Sequence, residues 1–540
     1  MQIQIFKGLL VVAALANFEL RAATCESIFR LQLPNTTITK ARSVAAGEFT
    51  LPGATSSSLE PVPFKKLPAF CRVEGTIHPT SDSNIEFEVW MPVSGWNGRY
   101  LAVGNGGFSG AINYTGGAGN GPGMAEAVIG GYATSSTDTG HKGTAVDASW
   151  ALRHPEKVTD YAYRAIHLTA VNAKTIIGAF YEGEVQKSYF SSCSNGGRQA
   201  LIESQRYPAD YAGIVAGDPS WFATHLSAAQ VWNTQALMAK QNSYIRASKL
   251  PAIAAAVVER CDALDGITDG VLDDPRNCQF DPAVLRCKGV ESDSCLTEPQ
   301  IEALRKIYAG PTDSRGRRIF PGILPGGETG PNGWARWITG PERGRSLDYA
   351  FGVGGIATLV YGDPSWDFRT FNLDRDVNPI DEKLGPTRNA TDATLKGFRT
   401  RSGKLILYHG WNDADIGPLS TANYYDNVLA EVGQQSGRDL LRAYMVPGMQ
   451  HCADGPGATV LGSVPGAGAD PLRGIQTALE RWVENGTAPE AIVATKYKTY
   501  GHPESGVART RLICPYPQIA RYSGNGSTDD AANFSCVDKR

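Results

Sequence analysis

The sequence predicts an α/β protein whose core is a largely parallel sheet interrupted by one large insertion. Three observations carry this. Short apolar runs bounded by turn residues recur at Lys187–Ser192, Tyr211–Ala216, Lys404–His409 and Leu441–Val446, as buried strands require. The first run passes through Cys193-Ser194-Asn195-Gly196-Gly197 into helix-forming Arg198 to Glu203, and a strand follows at short range, so β and α alternate. The alternation stops between about Trp221 and Leu395, where Gly and Pro become frequent and four cysteines cluster, and it resumes at Lys404.

The flanking elements follow from periodicity. Ile85, Phe87, Val89 and Met91 alternate with mostly polar neighbours over Asn84–Met91, which predicts an early half-buried strand. After Pro155, Tyr161, Ala165, Leu168 and Val171 recur at three-and-four spacing and predict one apolar stripe on a helix. The chain has 540 residues, more than the roughly 250 to 300 at which a single core stops growing. The expected division is a leader at 1–24, a core formed by 25–220 with 396–540, and an inserted lid at 221–395. The insert's Trp334, Trp337, Tyr349, Phe351, Trp366 and Phe368 are expected mostly to fill its own interior.

Composition narrows the function. Hydrophobic residues make up 42%, charged residues 19%, and the net charge is −3, which excludes a nucleic-acid footprint and a disordered chain. The expected partner is a small, weakly charged molecule. Residues 1–24 read as a secretory signal, with Lys7 ahead of an apolar run from Gly8 to Phe18 and small Ala22 and Ala23 near the cut. That run is shorter than the about 20 residues a membrane span needs, so an exported, extracellular or periplasmic protein with no membrane partner is expected. Ten cysteines behind an export signal predict disulfides; no C-x-x-C pair occurs and the eight histidines are scattered, which argues against zinc.

The chemistry centres on Ser194. A serine hydroxyl is a poor nucleophile unless it is exposed beside a base, and a strand-to-helix elbow of the form G-x-S-x-G provides that exposure. Here Ser192 replaces the first glycine and Gly196 keeps the second. An elbow of this kind predicts an α/β-hydrolase core, in which acid and base follow the serine on loops after later strands. Lys404–His409 leads to Asp413 and Asp415, and Leu441–Val446 leads to His451; Asp413 and His451 are chosen, with Asp415 a competitor for the acid. Cys193 precedes the serine and Cys452 follows the histidine, so a triad would bring these cysteines together, and their disulfide would stabilise by up to ~5 kcal/mol. The expected oxyanion donors are the N–H of Asn195 and one from Gly106 or Gly107, in the glycine-rich stretch after Tyr100–Val103.

With Cys193-Ser194, Gly410-Trp411-Asn412-Asp413 and His451-Cys452 assembled, the chain resembles the tannase and feruloyl esterase family over nearly its whole length. The resemblance supports Asp413 as the acid, implies a Cys193–Cys452 disulfide, and implies a lid over the catalytic pocket. It also makes Cys261 to Val271 similar to the family's calcium loop: Asp262, Asp265 and Asp269 would give side chains, Ile267 and Val271 carbonyls, and Cys261–Cys278 would close the loop. Three crowded carboxylates repel one another unless a hard cation neutralises them, which suits Ca²⁺ in a structural role. The remaining pairs implied are Cys25–Cys71, Cys287–Cys295 and Cys514–Cys536.

The resemblance implies a serine carboxylic-ester hydrolase acting on aromatic, phenolic acid esters, possibly attached to plant polysaccharide. Feruloyl esters are favoured and galloyl esters come next, with terephthalate monoesters as a further alternative. A lipase or peptidase with the same triad, or a catalytically silent calcium-dependent binding protein, is the reading from another class.

Overall fold

The computed structural model describes residues 23–52, 62–116, 121–462, 470 and 472–539. The leader expected at 1–24 falls, through residue 22, outside the described residues.

A nine-stranded sheet organises the chain. Its strands are β1 (Thr36–Val44), β2 (Phe70–Ile77), β3 (Ile85–Pro92), β4 (Arg99–Val103), β5 (Ala133–Thr137), β6 (Lys187–Cys193), β7 (Gly213–Gly217), β8 (Lys404–Gly410) and β9 (Leu441–Val446). They lie in the order β1-β2-β3-β5-β4-β6-β7-β8-β9. The β1–β2, β2–β3 and β3–β5 pairings are antiparallel, and every pairing from β5 to β9 is parallel. This is a mixed sheet of α/β-hydrolase type.

The parallel strands are apolar along their length because both faces are covered. Alternate side chains of β8 point to opposite cores: Leu405 and Leu407 join one apolar cluster, Ile406 and Tyr408 another. The helices that matter for the site are α1 (Ala165–Tyr181), α2 (Asn195–Arg206), α3 (Ala223–Met238), α4 (Leu373–Arg388), α5 (Leu419–Val432) and α6 (Ile475–Asn485). On one face α1 contributes Ala173, Ile176 and Ile177 and α5 contributes Tyr425 and Val428; on the other α6 contributes Leu479 and Trp482.

The stripe predicted after Pro155 is only half right. Tyr161 and Ala165 are buried, but Leu168 is half-buried and Val171 is exposed; the buried row of α1 runs through Ile166, Ala170, Ala173 and Ile177. A π-helical segment at Asp160–Arg164 causes the change. Its wider turn rotates the residues that follow relative to a continuous α-helix, so a stripe projected from Tyr161 drifts off the core.

The 186 residues between Gly217 and Lys404 are helical and irregular; among the described residues they add no strand to the sheet. They build their own apolar interior from Leu237, Ile253, Ile301, Leu304 and Trp334. Near the C-terminus β10 (Ile492–Tyr497) and β11 (Val507–Ile513) form an antiparallel pair. All ten cysteines are bridged: Cys25–Cys71, Cys193–Cys452, Cys261–Cys278, Cys287–Cys295 and Cys514–Cys536. No described helix is long and apolar enough to cross a membrane.

Candidate active site

Four neighbouring parallel strands end at one edge of the sheet, and each delivers a polar residue there: Ser194 after β6, Asp218 after β7, Asp413 after β8 and His451 after β9. Ligand sites of open parallel sheets form at this carboxyl edge. Ser194 sits between β6 and α2 with φ 65° and ψ −126°, a left-handed backbone that side chains rarely adopt. The turn closes only because its neighbours are small. A Cβ on Gly196 would lie 2.0 Å from Ser192 Oγ, and one on Gly197 would lie 2.3 Å from the Gly217 carbonyl.

His451 Nε2 accepts from Ser194 Oγ at 2.9 Å, and His451 Nδ1 donates to Asp413 Oδ2 at 2.8 Å. The other oxygen of Asp413 accepts the backbone N–H groups of Asp415 and Ile416 at 2.8 and 3.0 Å, which fixes the carboxylate. Asp415 instead stands 3.9 Å from His451 Nε2 and accepts from Gln230 at 2.7 Å, so geometry favours Asp413 as the partner of Nδ1. The Cys193–Cys452 disulfide spans 259 positions and joins the residue before Ser194 to the one after His451.

The electrostatics follow from burial and proximity. Burial alone would pull the His451 imidazolium down, but the charge and hydrogen bond of Asp413, with Asp415 and Asp218 adding, push it up to about 9. Burial opposes ionisation of Asp413 too, yet His451 and His409 hold it well below the usual carboxylate range. Burial pushes Asp218 and Asp415 each up to about 6. Burial, reinforced by the charge of Asp415, holds Asp348 well above its ordinary value; its other oxygen accepts from Asn233 at 2.9 Å.

Ser194 opens into a cleft of about 420 Å³ whose walls include Gly107, Phe108 and Tyr161 from the core. The segment between β7 and β8 supplies Leu226 and Gln230 of α3, Phe351, and Arg388 at the end of α4. Asn195, the first residue of α2, lines the cleft with its N–H unpaired within the helix, where an anion is favoured. Of the two candidate glycines, Gly107 lines the cleft, whereas the Gly106 carbonyl accepts from Ser109 N–H at 3.1 Å and Gly106 stays out of the lining. Among the insert's aromatics, Phe351 reaches the cleft and Trp337 packs edge-on against His451 at 4.6 Å, while Trp334 is fully buried in the insert.

A family model described as tannase and feruloyl esterase matches residues 71–537. The chain belongs to the tannase and feruloyl esterase family. It is 41% identical to an uncharacterised esterase of Xanthomonas campestris, over 99% of this chain and 94% of that protein. It is 33% identical to a mono(2-hydroxyethyl) terephthalate hydrolase of Piscinibacter sakaiensis, over 87% and 85%. Among solved structures, feruloyl esterase B from Aspergillus oryzae matches with a TM-score of 0.83 at 28% identity, covering 95% of this chain and 99% of that one. This tannase and feruloyl esterase family member is a carboxylic ester hydrolase.

The family member's acidic loop holds its carboxylates on its own backbone N–H groups. Both oxygens of Asp262 accept from Gly270 N–H at 3.1 Å, and Asp265 accepts from Ile267 and Asp273 N–H at 2.9 and 3.0 Å. Asp269 accepts from Val271 N–H at 3.1 Å and pairs with Arg509 and Arg511 of β11. The donors are hard oxygens, as Ca²⁺ prefers, and Asp273 adds a fourth carboxylate. Burial, with the charges of Asp265 and Asp269, pushes Asp273 up to about 7 despite Arg511 of β11. The donors suit calcium in their chemistry, while in this structure their carboxylate oxygens are turned to backbone N–H groups and arginines and do not gather at one point.

Four residues of the site escape the sequence reading. Asp218, Gln230 and Arg388 carry no motif. His409 is fully buried; it accepts from Thr421 Oγ1 at 2.7 Å and stands 3.1 Å from Asp413. Its place at the end of β8, four residues before Asp413, was the signal available.

Proposed function

We propose that the protein is a secreted serine hydrolase of aromatic-acid esters, with Ser194 as nucleophile, His451 as base and Asp413 as the acid that orients it. The observation that supports this is the continuous hydrogen-bonded line from Ser194 Oγ through His451 to Asp413, opening on an aromatic-walled cleft. Ser194 Oγ attacks the ester carbonyl while its proton passes to His451 Nε2, and the N–H groups of Asn195 and Gly107 receive the developing oxyanion. His451 then protonates the departing alcohol. Water, deprotonated by His451, attacks the acyl-enzyme and releases the acid.

Hydroxycinnamoyl esters such as feruloyl esters, free or on plant polysaccharide, are the favoured substrates. Galloyl esters and terephthalate monoesters are the alternatives, the latter through likeness to the Piscinibacter sakaiensis protein. The segment at 221–395 acts as the lid, since it supplies Leu226, Gln230, Phe351 and Arg388 to the cleft. Asp262, Asp265 and Asp269, with the Ile267 and Val271 carbonyls, hold a structural Ca²⁺ that neutralises the acidic loop. Five disulfides support export.

The test is hydrolysis of methyl ferulate, methyl gallate and monomethyl terephthalate by the wild type and by Ser194→Ala. Loss of turnover in the variant is expected. Full activity in the variant would overturn the mechanism, and inertness of all three esters would overturn the substrate class.

A further inference from the structure

Arg388 ends α4 and lines the cleft, only 7% exposed. Its guanidinium lies 5.6 Å from the Phe108 ring centre and 5.8 Å from that of Tyr161. Among the described residues it makes no ion pair, and its buried Nε has no hydrogen-bond partner. Its buried neighbour Arg198, beneath the elbow, is by contrast occupied: it donates to Asn195 Oδ1 at 2.8 Å and to the Ala162 carbonyl at 2.8 Å. No carboxylate balances Arg198 either; burial first, and then the nearby charge of Arg388, bring it down to about 10.

A charge removed from water is stabilised by a counter-ion or by several good hydrogen bonds. Two aromatic faces and the C-terminal end of α4 offset part of that loss, but they leave the planar donor edge of Arg388 unmatched. That edge is shaped for a carboxylate. The acid that shares the cleft, Asp415, is tied to Gln230 and stands at the His451 end.

We propose that Arg388 forms an anion-recognising subsite in this cleft, which selects esters carrying a free carboxylate in addition to the scissile bond. It is a specificity residue, with no part in the chemical step. This rests on the reading of Ser194 as nucleophile only in that the subsite and the scissile bond share one cleft. It raises monoesters of aromatic dicarboxylic acids, an alternative in the proposed function, above the neutral feruloyl esters that family likeness favours there.

The experiment measures equilibrium binding to the full-length Ser194→Ala protein, so that it does not depend on turnover. The probes are the monomethyl esters of terephthalic and isophthalic acid, each against its neutral carboxamide counterpart. At least one acid should bind about 10- to 100-fold more tightly than its amide, the range of a hydrogen bond to a charged group. Adding Arg388→Gln should erase that ratio while amide binding stays, and Arg388→Lys should restore part of it. Equal binding of acid and amide by the Ser194→Ala protein, or tighter binding of the amide, would overturn the subsite without any Arg388 variant. A ratio that survives Arg388→Gln would equally overturn it. Turnover of the same esters by the wild type tests the nucleophile separately, because a missing ratio with turnover intact condemns only the subsite.

Discussion

The carboxylate of Asp218 grips the loop of Cys452: one oxygen accepts the Cys452 backbone N–H and the other accepts the Gly410 N–H at 3.1 Å. The side chain is fully buried and its φ is 34°, a backbone that Asn also tolerates. One residue therefore ties the ends of β7, β8 and β9 together directly beneath His451. Asp218→Asn leaves one of the two N–H groups without an acceptor and should destabilise the fold by about 1–3 kcal/mol in denaturant unfolding. Because Asp218 is one of the anions that raise His451, the variant should also shift the alkaline-rising limb of the pH–rate profile downward. An unchanged profile together with unchanged stability would remove Asp218 from this role.

Asp413 and Asp415 stand two residues apart, yet only Asp413 meets His451 Nδ1. Asp413→Asn should lower kcat by about 10⁴-fold, because the amide no longer holds the productive tautomer. Asp415→Asn should lose far less, since its oxygen serves Gln230. Similar losses in both variants, measured on the best ester substrate, would contradict this division.

With the imidazolium of His451 pushed up to about 9, the base is neutral only in the alkaline range. After correction for spontaneous hydrolysis, kcat/KM should rise with pH through a limb well above the ordinary histidine value of about 6.5. The contribution to stability runs the other way. The folded-state value exceeds the unfolded one, so this group's stabilisation is complete below about pH 6.5 and is lost as pH rises through about 9. A rate limb centred at or below 6.5 would show that the carboxylates around His451 do not act on it as described.

Calcium removal should lower the melting temperature more at pH 8 than at pH 5.5. At the higher pH Asp273, pushed up to about 7, is ionised and repels Asp265 and Asp269; at the lower pH it takes up a proton and the repulsion eases. Differential scanning fluorimetry with and without a chelator measures the contrast. A melting temperature indifferent to chelation at both pH values would count against a bound ion.

Much of the site is written locally. Buried parallel strands read as apolar runs, and the residues after β6, β8 and β9 announce themselves by contrast: a serine in an elbow, carboxylates after Gly410, a histidine beside a cysteine. Asp218 is a single acid in Gly217-Asp218-Pro219, and its partners lie 192 and 234 positions away. Arg388 gains its meaning only when the fold lays it against Phe108 and Tyr161, which stand 280 and 227 positions earlier in the chain. The helix after Pro155 is mispredicted in its face for a related reason. A π turn leaves no periodic mark, because it shifts the phase of everything after it.

β7 and β8 are hydrogen-bonded neighbours although the 186 residues between Gly217 and Lys404 separate them in the chain. The two strands are parallel, so the chain leaves at the carboxyl end of β7, beside the site, and re-enters one strand over at the opposite edge of the sheet, where Lys404 pairs with Gly213. The segment is thus the crossover of a parallel pair, and on its way from one edge of the sheet to the other it walls the cleft with Leu226, Gln230, Phe351 and Arg388. A change in that crossover therefore reaches the cleft wall from a stretch that adds no strand to the sheet.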